Sequence, residues 1–241
     1  MSTPELRPLG NVLIAGGASG LGAAAVDAVR RHGGNPLVID ITKPGSRGDG
    51  KSGEVPYAWA DLADSATVES AVTELAESVG GELHAVFTPA GTDRCGKLAD
   101  VPAKEWERVL HVNLLGTAAV IRSALPYLKA TNGRIVTCAS TLGIKAVSDA
   151  TAYCASKFGV VGFTRALATE LAGEVGVTLL IPGGMQTAFF DGRTEQYKPG
   201  PDAKLNDPAI VAETVVFALR QPAGSEIREL VVCSSEESSW P

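Results

Sequence analysis

The sequence is poor in the residues that build metal sites and disulfide frameworks. It has four cysteines and three histidines in 241 residues, and neither set shows metal-ligand or disulfide spacing. Two of the cysteines, Cys138 and Cys233, fall in apolar segments, where a small buried hydrophobic residue is expected. We therefore predict no metal site and a reducing compartment for the chain.

Long apolar runs and blocks of positive charge are also absent. No apolar run approaches the roughly 20 residues that span a bilayer, and residues 1–8 lack the apolar stretch of a signal peptide. The formal net charge is −6 without a basic block, so nothing indicates a nucleic acid partner. The sequence predicts a cytoplasmic protein with neither a membrane nor a nucleic acid partner.

Strand and helix patterns alternate along the chain, as a doubly wound sheet requires. No repeat, linker or low-complexity tract divides residues 1–241, so we expect a single α/β domain with a mostly parallel seven-stranded sheet flanked by helices. The predicted strands are 11–15, 36–39 with the acid at 40, 57–59, 85–88, 134–138, 177–181 and 230–233. The predicted helices are 23–32, 66–79, 104–128, 153–171 and 209–219.

A glycine-rich turn follows the first predicted strand. Gly16, Gly20 and Gly22 lie between that strand and the next helix. This order lets the backbone approach a diphosphate and directs the free N–H groups of the helix terminus at it. The G-x-x-x-G-x-G spacing differs from the common G-x-G-x-x-G, and a turn without a ligand is the alternative. The order of strand, turn and helix favours dinucleotide binding.

An acidic residue ends the second predicted strand. Asp40 follows Gly22 by eighteen residues, and an acid at this place accepts hydrogen bonds from the adenosine ribose and repels a 2′-phosphate. Neither Ser19 nor Ile41 offers a positive charge to such a phosphate. We therefore favour NAD over NADP, the alternative being an acid that only begins a turn.

Tyr153 and Lys157 are four residues apart in a predicted helix. That spacing places both side chains on one face, about 5–6 Å apart at Cβ. A neighbouring ammonium lowers the pKa of a phenol, which would make the pair a proton-transfer device. A solvated helix face is the alternative for the pair alone, but the dinucleotide pattern favours the functional interpretation.

Together these motifs resemble the short-chain dehydrogenase/reductase family, in its ordinary-length, non-extended branch, over nearly the whole chain. The resemblance implies a Rossmann-type fold and a catalytic tetrad of Asn113, Ser140, Tyr153 and Lys157. It also implies that Asp61 and Leu62 hold the adenine, and that Thr187 contacts the nicotinamide carboxamide. The implied cofactor-binding set is Gly16, Ser19, Gly20, Leu21, Gly22, Asp40, Asp61, Leu62, Ala90, Gly91, Tyr153, Lys157, Pro182, Gly183 and Thr187.

The resemblance also implies roles for the tetrad. Tyr153 exchanges a proton with the substrate oxygen, and Ser140 holds and polarises that oxygen. Lys157 lowers the pKa of the phenol and binds the nicotinamide ribose. Asn113 interrupts its helix and positions a water for proton relay, while the nicotinamide supplies the hydride chemistry.

The chain departs from the family at one motif. Thr88, Pro89, Ala90 and Gly91 stand where the family has N-N-A-G, and Pro89 cannot donate a backbone hydrogen bond. The departure predicts some loosening of the sheet or of cofactor binding there.

An irregular stretch over residues 183–207 predicts a mobile loop that covers the substrate. The predicted pocket is apolar, which favours a neutral or largely apolar ketone or secondary alcohol. Arg94, Lys145 and Arg193 are interpreted as solvated loop charges, although they keep an acidic or carrier-bound substrate as an alternative. The expected substrate-pocket residues are Leu142, Ile144, Met185, Phe189 and Phe190, with Tyr197 nearby.

The sequence thus predicts an NAD-dependent oxidoreductase with Tyr153 as the acid/base. The first alternative is a 3-oxoacyl-thioester reductase acting on acyl carrier protein, a generic resemblance within this branch. A non-catalytic NAD-binding sensor is the second, and the intact tetrad argues against it. An epimerase or dehydratase is a third, but such relatives usually need a longer C-terminal substrate domain.

Two predicted helices carry more apolar surface than one sheet face needs. The resemblance implies that helices 104–128 and 153–171 form a four-helix interface with a second copy, with a homotetramer favoured. We expect Val161 to point outward on this face. The apolar or small residues concerned are Leu114, Leu115, Ala118, Ala119, Ile121, Val160, Val161, Phe163 and Leu167.

Overall fold

Seven parallel strands form one sheet in the order β3-β2-β1-β4-β5-β6-β7. The computed structural model describes residues 6–45, 54–237 and 239, so residues 1–5 of the stretch considered for a signal peptide lie outside it. All six strand pairs are parallel, which confirms the predicted doubly wound fold. The strands are β1 Asn11–Ala15, β2 Asn35–Asp40, β3 Tyr57–Trp59, β4 Ala85–Thr88, β5 Arg134–Cys138, β6 Gly176–Pro182 and β7 Glu229–Val232.

Six α-helices connect the strands. Asp64 and Asp207 cap two of them by accepting hydrogen bonds from the N–H of Ala66 and of Ala209, which stabilises the first turn. The helices are α1 Gly20–Arg31, α2 Ser65–Ser78, α3 Ala103–Leu110, α4 Thr117–Thr131, α5 Thr151–Glu170 and α6 Pro208–Leu219.

Alternate residues of each strand enter two different cores. On β1, Val12 and Ile14 pack toward α1 and α6, whereas Leu13 and Ala15 pack toward α2, α4 and α5. Because both faces are covered, the central strands β1 and β4 consist mainly of buried apolar residues rather than alternating with polar ones. The carboxyl ends of the parallel strands therefore meet at one edge of a rigid sheet, the place where α/β proteins bind ligands.

The helix predicted over 104–128 is divided in the structure. A π-helical turn, His111–Gly116, separates α3 from α4. By length and composition the combined stretch Ala103–Thr131 is long and apolar enough to cross a membrane, but Val120, Ile121 and Leu128 are buried in the core between the sheet and α2. This stretch thus belongs to the helical layer that covers one face of the sheet.

Most of the surplus apolar surface on α4 and α5 is used inside the chain. Val161 is only 5% exposed and packs with Val160 and Ile181. The expectation that Val161 points outward is therefore wrong, because this side of α5 faces β6. The exposed apolar residues of the region are Leu115, at 55%, and Phe158, at 44%.

Candidate active site

The glycine turn after β1 leaves no room for side chains. A Cβ at Gly22 would lie 1.9 Å from the carbonyl oxygen of Gly16, and one at Gly16 would lie 2.7 Å from Ala90 Cβ. Gly16 and Gly20 also have positive φ angles of 96° and 51°. The side chain of Ser19 makes no cap hydrogen bond, so the first N–H groups of α1 face the cavity at the strand ends. This cradle fits the diphosphate of a dinucleotide.

Asp40 lies beside this cradle at the end of β2. Its carboxylate accepts hydrogen bonds from the N–H of Ala18 and of Thr42, each 3.0 Å long. These bonds fix the carboxylate at the cavity wall, where each oxygen retains a lone pair for a ribose hydroxyl.

Asp61 and Leu62 continue the cavity past Asp40. Asp61 forms an ion pair with Arg108, with N–O distances of 3.2 to 3.3 Å. Although burial raises the pKa of the Asp61 carboxyl, the Ala63 N–H and Arg108 lower it below its ordinary value. Asp61 is therefore anionic and held in place.

The Thr88–Gly91 segment keeps the sheet intact despite its unusual sequence. Thr88 pairs with Thr137 in the ladder, and the Ala90 N–H donates to the Ala15 carbonyl over 3.0 Å. The predicted loosening of the sheet is therefore wrong, because Pro89 falls between these hydrogen-bonded positions. The Thr88 hydroxyl is buried without a hydrogen-bond partner among the described residues.

Asn113 lies in the π-helical turn, one layer behind the cavity wall. Its side-chain oxygen accepts from the Thr92 N–H at 2.8 Å, and its amide donates to the Thr92 carbonyl at 2.9 Å and to Ser156 Oγ at 3.0 Å. Asn113 thus clamps the segment after β4 to α5. A Cβ at Gly91 would lie 3.5 Å from Asn113 Oδ1 and 3.6 Å from Lys157 Nζ, so both groups converge on this glycine.

Ser140, Tyr153 and Lys157 meet at the carboxyl end of β5. Ser140 and Tyr153 both line the cavity at this edge, close enough for the Ser140 hydroxyl to lower the pKa of the Tyr153 phenol. Lys157 is 3% exposed, its Nζ donates to the Cys138 carbonyl at 2.9 Å, and the same atom lies 5.6 Å from the centre of the Tyr153 ring. These three side chains, which the resemblance assigns to one tetrad, line one cavity in the structure.

Burial dominates the pKa of the Tyr153 phenol in this structure, so the lowering by Lys157 stays a prediction. Burial raises that pKa well above its ordinary range, and the nearby Ser140 hydroxyl lowers it only in part. Burial also lowers the pKa of Lys157, whose ammonium is directed at the Cys138 carbonyl. Tyr153 is accordingly a neutral phenol that can donate a proton.

A single cavity of about 560 Å³ joins these groups. All fifteen residues of the predicted cofactor set line it, from Gly16 to Thr187. Four of the predicted substrate residues line it as well: Leu142, Met185, Phe189 and Phe190. Ile144 does not, because its side chain packs against the core formed by Ala139, Val160 and Ile181. Tyr197 also lies outside the lining.

The charged residues of the loops differ in their surroundings. Arg94 is half exposed and pairs with Glu105, as a solvated charge would. Arg193 lines the cavity and binds Asp93 at 2.6 Å, with the two side chains 18% and 5% exposed. The interpretation of Arg193 as a solvated charge is therefore wrong, since the loop folds it inward over the rings of Phe189 and Phe190.

Sequence reasoning missed the C-terminal segment. Glu237 and Ser239 line the cavity, although they follow β7 on the far edge of the sheet. Glu237 accepts a hydrogen bond from the Gly184 N–H at 3.0 Å, and the Ser239 and Thr141 hydroxyls are 2.6 Å apart. The polar run Ser234–Ser239 gives no local signal of this return. Among the described residues no cluster of three metal-ligating side chains occurs.

Comparisons with known proteins agree with this geometry. The family model described as short chain dehydrogenase matches residues 10–198, and the chain belongs to that family. D-beta-hydroxybutyrate dehydrogenase from Cupriavidus necator is 30% identical in an alignment of length 240 that covers 94% of this chain and 91% of that protein. A 3-oxoacyl-(acyl-carrier-protein) reductase from Thermotoga maritima is 29% identical in an alignment of length 217 that covers 85% of this chain and 88% of that protein.

Solved structures of a ketoreductase and an alcohol dehydrogenase also share the fold of this chain. Actinorhodin polyketide ketoreductase with NADPH matches with a TM-score of 0.81 and 27% identity, over 92% of this chain and 95% of that chain. The alcohol dehydrogenase of Thermococcus sibiricus with 5-hydroxy-NADP matches the fold with a TM-score of 0.81 at 24% identity, over 92% and 95%. The protein is an NAD(P)-dependent short-chain oxidoreductase.

Proposed function

We propose that this protein transfers hydride between NAD and a neutral, largely apolar ketone or secondary alcohol, with Tyr153 as the acid/base. The observation that carries the proposal is the position of the Ser140–Tyr153 pair. It lies in the cavity between the glycine cradle with Asp40 and the apolar side chains of residues 183–207. We also propose that the chain is one domain and that residues 183–207 are its substrate loop.

The chain's own groups would act as follows during reduction. The glycine turn and the N-terminus of α1 hold the diphosphate, and Asp40 holds the adenosine ribose. Ser140 donates a hydrogen bond to the carbonyl oxygen, and Tyr153 protonates that oxygen. Lys157 and Asn113 fix the cavity floor at Gly91. When bound, the nicotinamide supplies the hydride.

Charge at the substrate end supports a neutral substrate. Arg193 is neutralised by Asp93, and Glu237 adds a carboxylate to the wall at Gly184. At this end of the cavity a carboxylate on the substrate would meet this negative charge, while the Arg193 guanidinium is already paired with Asp93. Met185, Phe189 and Phe190 instead offer apolar surface to a neutral group.

Asp40 supports NAD over NADP. A phosphate on the ribose would lie against a carboxylate that is already fixed by two N–H groups. The neighbouring Ile41 is exposed and uncharged, and Arg108 is occupied by Asp61.

A panel of carbonyl compounds tests the proposal. Cyclohexanone and acetophenone are neutral ketones, acetoacetate is an anionic one, and acetoacetyl-CoA is a thioester. We expect the neutral ketones to be reduced with NADH at a kcat/KM about tenfold or more above that of acetoacetate. The readout is the loss of reduced-nicotinamide absorbance with each cofactor, and activity confined to acetoacetate would contradict the proposal.

The second candidate is a 3-oxoacyl-thioester reductase, supported by the relative from Thermotoga maritima. Reduction of acetoacetyl-CoA alone in the same panel would favour it. A cofactor-binding sensor without turnover remains the alternative from another class, and the panel would give no reaction if it were correct.

We further propose a homotetramer and a cytoplasmic location. Leu115 and Phe158 are exposed on neighbouring helices, and a Cβ at Gly162 on α5 would meet open space, which leaves room for a facing helix. All four cysteines are free, which supports a reducing compartment. In light scattering, Phe158→Asp should reduce the particle mass, whereas the same substitution at Ile210, which is more exposed on α6, should not.

A further inference from the structure

A buried ion pair joins two loops beside the substrate end of the cavity. Asp93 follows β4, and Arg193 lies in the substrate loop 100 residues later. Arg193 Nη2 donates to Asp93 Oδ2 at 2.6 Å, and Cys95 Sγ donates to the same oxygen at 3.2 Å. At 5% and 18% exposure the two charges are largely removed from water, so their attraction is screened little.

Arg193 extends this contact to the candidate catalytic tyrosine. Its guanidinium lies 5.2 Å from the Phe189 ring centre and 4.7 Å from that of Phe190. Its Nη1 donates to the Tyr197 carbonyl at 3.2 Å. The Phe189 ring in turn lies 5.8 Å from the Tyr153 ring, with an angle of 55° between the planes. A chain of direct contacts thus runs from Asp93 through Arg193 and Phe189 to Tyr153.

We propose that Asp93 and Arg193 form a latch that holds the substrate loop closed and positions Phe189 against Tyr153, where it shapes the site for the carbonyl group. Both are positioning residues, because they act through Phe189 on the reacting centre. The substrate part of this inference rests on the proposed function, whereas the closure of the loop does not.

Backbone bonds hold the two ends of the loop, from the Gln186 N–H to the Asn206 carbonyl and from the Asn206 N–H to the Gly184 carbonyl, each 2.9 Å long. Between these ends the loop has little other anchorage. Its two short helical turns, Ala188–Phe190 and Glu195–Tyr197, contain no buried residue. A segment with few buried contacts opens easily unless a specific interaction holds it.

Each residue of the latch also has one buried polar atom that forms no hydrogen bond to the described part of the chain. Within the described residues, Asp93 Oδ1 and Arg193 Nε are buried without hydrogen-bond partners. Buried charges with unfilled hydrogen-bonding positions stabilise a fold poorly. We therefore assign the pair a role in positioning the substrate loop rather than in stabilising the fold.

The test separates positioning from stability with three variants. Asp93→Asn and Arg193→Met each leave one buried charge without its partner, which should lower Tm. The double variant Asp93→Asn/Arg193→Met removes both charges, so Tm should recover while the latch stays broken. The control is Glu213→Gln/Arg31→Met, which removes an exposed pair of 2.7 Å between α1 and α6.

Hydrogen exchange of the protein measures the closure without any substrate. We expect peptides over residues 186–198 to exchange about threefold faster or more in the double variant. Peptides over the glycine turn, and all peptides of the control variant, should keep the parental rate. Parental exchange of the loop in the double variant would overturn the latch.

Kinetics with acetophenone then test the positioning. In the double variant KM should rise about tenfold with a smaller change in kcat, while the Kd for NADH stays near the parental value. Arg193→Lys, which keeps a cation near Asp93 and the rings, should restore part of the parental KM. A parental KM in the double variant, or a matching rise in the NADH Kd, would refute positioning of Phe189. If no ketone is reduced by the parent, the proposed function fails, and the exchange result still decides the latch.

Discussion

The two ends of the cavity are fixed by different kinds of contact. At the cofactor end, the backbone of Gly16 donates to the Ile39 carbonyl at 2.7 Å, and Asp40 accepts from two backbone N–H groups. At the substrate end, backbone bonds hold only the two ends of the loop, and its middle depends on side chains, chiefly the Asp93–Arg193 pair and the rings below it. The cofactor end of the cavity is thus built from the sheet itself, whereas the substrate end is formed by a loop that side chains hold in place.

This difference explains how one fold serves different substrates. Backbone contacts at strand ends tolerate little change, because a misplaced atom disturbs the sheet itself. Side-chain contacts in a loop can be exchanged without loss of the fold. Substitutions at the cofactor end should therefore damage binding and stability together, whereas those at the substrate end that leave no buried charge without its partner should change kinetics alone.

The largest expected effect falls where the two ends meet. Tyr153→Phe removes only the proton-transfer hydroxyl, so kcat should fall about a thousandfold or more while the NADH affinity stays near the parental value. Turnover and a fluorescence titration with NADH measure the two quantities. Tyr127→Phe, which removes a hydroxyl distant from the cavity, is the control. Substantial turnover in Tyr153→Phe would refute its assignment as the acid.

A pair of glycine substitutions compares the two ends directly. Gly22→Ala places a Cβ 1.9 Å from the Gly16 oxygen, so we expect about a hundredfold weaker NADH binding and a loss of about 3 kcal/mol in unfolding free energy. Gly192→Ala, in the substrate loop, meets no atom within 4 Å and should change the unfolding free energy by less than about 0.5 kcal/mol. Denaturant unfolding and NADH titration provide both values. Equal effects of the two substitutions would remove the distinction between the ends.

The preference for NADH over NADPH should change only with substitutions at the cofactor end of the cavity. Asp40→Ala combined with Ile41→Arg removes the repulsion and adds a partner for a phosphate, so the preference for NADH over NADPH should fall about tenfold or more. The ratio of the two kcat/KM values gives the preference. Glu77→Ala, an exposed acid on α2, should leave it unchanged. If the parent uses both cofactors equally well, Asp40 does not select between them.

The smallest effect concerns the protonation of Tyr153. Because burial raises the pKa of its phenol, the tyrosinate absorbance of Tyr153 should appear at higher pH than that of an exposed tyrosine. The difference between the titrations of the parent and of Tyr153→Phe isolates this one group. Below the raised pKa the phenol keeps its proton, the form that reduction needs. A phenolate near neutral pH would show that Lys157 outweighs burial in the free protein.

The cofactor end could be predicted from the sequence because its signals are local. Each of the seven strands and the glycine turn corresponds to a short run of apolar residues or glycines, and the fifteen predicted cofactor residues line one cavity. The helix after the turn begins at Gly20 rather than Ala23, because the low helix propensity of glycine does not keep Gly20 and Gly22 out of its first turn.

The substrate end could be predicted only in part, because its contacts are distant in sequence. Asp93 and Arg193 are 100 residues apart, and Glu237 reaches the cavity from beyond the last strand. Neither contact follows from a local pattern. The inward packing of Ile144 and the raised pKa of Tyr153 likewise depend on tertiary burial, which the spacing of residues does not reveal.

Following the transferred hydrogen shows directly whether the protein moves hydride from NADH to a neutral ketone. NADH that carries deuterium at the transferred position is incubated with the protein and either acetophenone or acetoacetate, and the alcohols are analysed by mass spectrometry. We expect deuterium on the carbinol carbon of the alcohol from acetophenone and far less in the product of acetoacetate. Deuterium in neither product, or only in the product of acetoacetate, would contradict the proposed function.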